Sequence, residues 1–177
     1  AFTFVYPIAE NDPSGLQASW RGIAHPDGSM TINGKQYPYL FWEAKSSWDP
    51  ATAKRSEGFV VPKAGVTAFL EEKLTEMGLN GREQTDFITY WGPKMTGSDR
   101  YFVQFMFNDA CNRFAELNIS PQPEQLFRVY MLWSPVEESA HLSPKPQVIQ
   151  TVSRNGFYAI EWGGSEIPFA PVLTLND

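Results

Sequence analysis

The sequence predicts an α+β fold: an antiparallel β-sandwich or partly open barrel with one helical hairpin, about residues 65–91, packed on it. Three observations lead there. Six Trp, seven Tyr and thirteen Phe make up 15% of the chain, and aromatics favour strands and large buried contacts. Fourteen Pro and thirteen Gly punctuate short apolar runs, the rhythm of strands and turns. Only near the middle of the chain does the apolar period become helical.

Phe2 to Ile8 reads as a strand, and Asn11-Asp12-Pro13-Ser14-Gly15 as a turn. Gln17 to Ala24 reads as the second strand, and His25-Pro26-Asp27-Gly28 turns the chain into the short strand Ser29–Ile32. Asn33-Gly34 is a hairpin signal, because both positions of a type I′ turn need positive φ. It leads to the aromatic strand Tyr37–Ala44, in which Pro38, lacking an N–H, marks an edge or a bulge. A polar loop over 45–56 precedes the strand Gly58–Pro62.

Val66, Phe69, Leu70, Leu74 and Met77 then fall on one face of a helix. Gly78 stops it in the left-handed region. Asn80-Gly81-Arg82-Glu83 forms a capping box opening a second helix with Phe87, Ile88 and Trp91 inside. Gly92-Pro93 ends that helix. Arg100–Phe107 reads as a strand, and Leu126–Trp133, nearly continuous in apolar residues, as a strand buried on both faces. A helical turn is expected somewhere in 108–125. Gln147–Val152 and Phe157–Trp162 read as strands joined at Arg154-Asn155-Gly156, and Ala170–Leu175 is expected to close the sheet.

At 177 residues, with no linker or repeat, the chain reads as a single domain over 1–177. A domain of that length buries about 70% of its unfolded surface, enough to fold without disulfides or a structural metal. Fourteen Lys and Arg against twenty Asp and Glu give a net charge of −6, without the clustered cations that phosphate binding needs, so nucleic acid is excluded as a partner. The helix pair is itself acidic: Glu71, Glu72, Glu76, Glu83 and Asp86 outnumber Lys73 and Arg82. No apolar run approaches the ~20 residues that span a bilayer, so no membrane insertion is expected.

Cys111 is the single cysteine, which leaves no internal disulfide and reads as a small core residue. A start at Ala1-Phe2-Thr3 and the sequon Asn118-Ile119-Ser120 point to an extracellular, secreted protein. His25 and His141 lie in no metal-binding spacing, so no metal ligands are assigned. Cys111 with His141 and Asn112 or Asp109 has the residue types of a thiol hydrolase but no local signature. GxSxG, GxGxxG and P-loop patterns are lacking, and no cofactor is expected.

Two glutamates at the ends of aromatic strands are the candidate catalytic residues. Alternation places Glu43 with Tyr37, Tyr39 and Phe41, and Glu161 with Phe157 and Ala159. Two carboxylates facing one another across aromatic platforms would suit glycoside hydrolysis. A structural pair would instead be neutralised by a cation such as Lys45 or Arg154. Trp48, in the polar loop Ser46–Pro50, with Tyr39 and Trp162, are the candidate ligand contacts. The expectation is therefore a non-catalytic binding or structural domain whose ligand is a carbohydrate or a protein. The alternatives are a carboxylate-based glycan hydrolase using Glu43 and Glu161, and a self-assembling homo-oligomer joined through edge strands such as Phe2–Ile8 or Ala170–Leu175.

Overall fold

A computed structural model describes residues 1–11, 14–45, 53 and 55–168. The expected strand Ala170–Leu175 and the loop carrying Trp48 lie outside them. The chain is mixed α+β and falls into two compact units, Ala1–Ser47 and Trp48–Asp177.

The first unit is built of short antiparallel strands. Strand β1 (Phe2–Tyr6) pairs with β7 (Phe41–Ala44), and β2 (Glu10–Asn11) with β3 (Ala18–Ser19). Strands β4 (Ile23–Ala24), β5 (Met30–Ile32) and β6 (Lys35–Tyr37) form a meander. Asn33 and Gly34 join β5 to β6 with φ of 50° and 76°, the hairpin that their sequence specifies. Two expected strands are divided. Gln17–Ala24 splits into β3 and β4, because the Trp20 indole donates to the Pro7 carbonyl (2.9 Å) and Gly22 approaches Thr31 too closely to carry a Cβ. Tyr37–Ala44 splits after β6 at Pro38, and β7 takes a different partner. Among the described residues of this unit only Pro7, Ser29 and Ile32 are buried.

The second unit holds a four-stranded sheet in the order β11-β10-β9-β8. Its strands are β8 (Phe59–Pro62), β9 (Arg100–Phe107), β10 (Gln125–Pro135) and β11 (Tyr158–Glu166). Helices α1 (Val66–Glu76) and α2 (Gly81–Trp91) form the expected hairpin. Gly78, at φ +80°, stops α1, and both halves of the Asn80/Glu83 capping box are present. Leu70, Leu74, Phe87 and Trp91 are buried, with Phe69 and Ile88 half-buried beside them. They pack on one sheet face: Val61 from β8, Tyr101, Val103, Phe105 and Phe107 from β9, and Phe127, Val129, Met131 and Trp133 from β10. The 3-10 turn Asn108–Arg113 supplies the helical turn expected in 108–125.

Two further expectations are corrected. The sheet is not purely antiparallel, since β10 and β11 run parallel, and Gln147–Val152 forms no strand. The Gln147 amide instead bonds the N–H and C=O of Phe105, on the stretch of β9 that β8 does not reach. The Val152 N–H donates to the Met77 carbonyl (2.9 Å) and Thr151 Oγ1 to that of Glu76 (2.9 Å). Residues 136–157 thus form a crossover past the helix pair, as a parallel strand requires.

Candidate functional site

The side chains of β10 and β11 that face away from the helices include a polar group. Arg128 stands opposite Glu161, Tyr130 opposite Gly163, and Leu132 opposite Ser165. Arg128 is 3% exposed, and a guanidinium buried to that degree needs every donor directed at an acceptor. Its Nε donates to Glu161 Oε2, its Nη1 to Asn112 Oδ1 (2.5 Å) and its Nη2 to the Ala115 carbonyl (3.0 Å). The backbone N–H of Arg128 meets Asn108 Oδ1 at 3.1 Å. The 3-10 turn after β9 therefore exists in part to line this cation with oxygens.

Aromatic packing completes the cluster. Phe114 stacks on Tyr130 with centroids 3.9 Å apart and planes at 16°, and Gly163 leaves room for the Tyr130 ring, which a Cβ would approach to 3.2 Å. The Tyr130 hydroxyl shares a 2.6 Å hydrogen bond with Ser165 Oγ, and burial raises its pKa. Cys111 is buried with Sγ 3.5 Å from the Met106 carbonyl. Burial pushes its thiol up to about 12, with Arg128 lowering and Glu161 raising it. A thiol held protonated is neither a nucleophile nor a metal ligand.

The cation that pairs with Glu161 is Arg128, rather than Lys45 or Arg154. Arg154 lies against the helix junction, bonded to Glu83 of the capping box and to the Gly78 carbonyl (3.0 Å). Arg128 was legible as an oddity, being the one charged residue in a nearly continuous apolar run. Parity alone could not name its partner.

The remaining candidates lie elsewhere. Glu43 belongs to the first unit and Glu161 to the second. Glu43 is exposed and stands opposite Phe4 in the β1–β7 ladder. Tyr6 stands opposite Phe41, so Phe4, Tyr6, Phe41 and Glu43 share one side of that pair. Phe4 touches Phe41 at 5.9 Å between centroids, and Tyr6 touches Tyr37 at 5.7 Å. Tyr39 is 48% exposed, Phe4 54% and Tyr6 47%. Trp162 is half-buried on the helix side of the sheet, 5.2 Å from Phe87 and 6.5 Å from Tyr90. Trp48 lies outside the described residues.

An apolar cleft of about 520 Å³ runs along β8 and α1, lined by Phe59, Phe69 and Pro146, with Glu72 the one titratable residue among its described walls. Glu72 is bonded there to Lys73. Among the described residues no cluster of three His, Cys, Asp or Glu is placed to hold a metal ion, and no helix is long and apolar enough to cross a membrane. Comparison with protein-family models, with curated proteins and with solved structures finds no match for this chain.

Proposed function

We propose that the chain is a secreted or surface-exposed, non-catalytic binding domain whose contact face is the aromatic side of the β1–β7 pair. What carries the reading is the exposure of Phe4, Tyr6 and Tyr39 in a unit that buries almost nothing of its own. Large rings with few rotatable bonds, half open to water, are the residues that dominate protein contacts. Ile8, Leu16 and Ile23, exposed at 90%, 65% and 64%, add exposed apolar surface to the same unit and favour a protein partner. Tyr6, Tyr37 and Tyr39 also carry hydroxyls beside their ring faces, and this supports a carbohydrate ligand as the second reading.

A photo-reactive phenylalanine analogue placed at Tyr6, with a control at Glu71, tests the protein reading in the full chain. The proposal expects discrete cross-linked proteins from position 6 that disappear when Tyr39→Ser is added, and none from position 71. Binding on a glycan array that is lost with the same substitution would assign the ligand to carbohydrate. Neither signal, or equal labelling from both positions, overturns the reading.

A further inference from the structure

The two edges of the four-stranded sheet are built differently. On β8 the residues alternate between β9 and the outside. Gly58 points outward and its N–H is taken by the Lys145 carbonyl (2.9 Å), while Pro62 has no N–H to offer. Short, proline-bearing and partly covered edges are how proteins prevent strand addition.

Strand β11 has none of these devices. It runs for nine residues, Tyr-Ala-Ile-Glu-Trp-Gly-Gly-Ser-Glu, without Pro or Lys. Its phase is fixed at both ends: the Gln125 N–H reaches the Phe157 carbonyl at 3.3 Å, and the Ile167 N–H reaches the Trp133 carbonyl at 2.8 Å. Odd-numbered residues therefore direct their backbone groups to β10. The N–H and C=O groups of Tyr158, Ile160, Trp162, Gly164 and Glu166 point outward, and no described residue pairs with this side of the strand. Nearly every residue of β11 is partly exposed.

We propose that this edge is a homodimer interface, in which β11 pairs antiparallel with β11 of a second copy about a twofold axis at Trp162. The sequence fits its own reversed copy in that register. Tyr158 then faces Glu166, Ile160 faces Gly164, and Trp162 faces Trp162, so every outward N–H and C=O of one copy meets one of the other. On the opposite side Ala159 faces Ser165 and Glu161 faces Gly163. The acids never meet. Glu161 is already held by Arg128, and Glu166 arrives beside Tyr158, over whose ring the Arg154 guanidinium lies at 5.5 Å. Like charges directly opposite would destabilise a strand pair, whereas this register sets each acid against a neutral or cation-flanked residue. The self-complementarity is what an isologous contact requires, and it favours a second copy over a strand from another protein.

Sedimentation of the full chain over a concentration series, with residue-resolved amide exchange, tests the proposal. The expected result is a species of twice the 20.0 kDa chain mass, in which the amides of Ile160, Trp162 and Gly164 are protected and lose protection on dilution. The amides of Ala159, Glu161 and Gly163 should stay protected throughout. Tyr158→Pro, at the first strand position, removes an N–H that serves only the outer edge and should weaken dimerisation about tenfold or more. A chain that stays monomeric overturns the proposal. A dimer in which the even-numbered amides exchange freely does the same without any variant.

Discussion

Arg128 and Glu161 stand directly opposite one another on the parallel strands β10 and β11, joined by a hydrogen bond from the Arg128 Nε. Their burial is unequal, with side chains 4% and 19% exposed. Removing the carboxylate strands a cation that cannot reach water, whereas removing the guanidinium leaves an acid that partly can. Glu161→Gln is expected to cost about 3–5 kcal/mol and Arg128→Met less. The double substitution should recover part of the loss, because it leaves no charge unpaired. Urea unfolding of the four proteins checks the order, and additive effects would mean that the pair is not coupled.

The helical hairpin is held by side chains with no access to water. Leu70 and Leu74 are each 0% exposed, so replacing either by Ala should cost about 2–5 kcal/mol. A loss below about half a kcal/mol at unchanged denaturant slope would show that the helix packs on nothing.

Gly78 and Gly81 lie three positions apart at the helix junction and should respond oppositely to alanine. At Gly78 the backbone is at φ +80° and an added Cβ would sit 3.2 Å from Val152 Cγ1. Gly78→Ala should therefore destabilise by about 1–2 kcal/mol or more. Gly81, the first residue of α2, has open space at its Cβ, and Gly81→Ala should be neutral or stabilising by up to about 1 kcal/mol. Thermal melting of the two variants distinguishes these outcomes.

Alkaline pH should weaken the fold through Cys111. Its thiol stays protonated in the folded chain up to about 12, while an unperturbed thiol ionises near 9.0. The unfolded state therefore binds fewer protons above that lower value, and stability falls as the pH rises from there towards 12. Below it this group contributes nothing to the pH dependence. Tyr130, also raised by burial, steepens the fall above about pH 10. Cys111→Ala should flatten the first part of the slope. In the native protein the thiol should resist a disulfide reagent at neutral pH, and it should react once denaturant is added.

The hairpin was legible in the sequence because its signals are local. The capping box spans Asn80 to Glu83, and Gly78 needs only its own backbone conformation. The divided strands were not, because Trp20 turns to the Pro7 carbonyl and Gly22 packs on Thr31, contacts between residues distant along the chain. Gly156 does adopt a turn conformation at φ +67°. The preceding segment makes no hairpin because Gln147 and Val152 bond to β9 and to the end of α1. Alternation put Glu161 on the correct side of β11, yet choosing Arg128 over Arg154 depended on which strand became its neighbour.

The proposed function gives the two candidate regions different roles: the β1–β7 face would bind a ligand, and the Arg128–Glu161 pair would hold the sheet together. The most direct test compares Tyr39→Ala with Glu161→Gln, both carrying the photo-reactive analogue at position 6, measuring melting temperature alongside cross-linked partner or glycan-array signal in one set of proteins. The account predicts that the tyrosine variant melts like the parent and loses the signal. It predicts that Glu161→Gln melts several degrees lower and, below its melting range, keeps the signal. A stable Glu161→Gln protein that has lost its ligand, beside a tyrosine variant that still binds, would contradict the account.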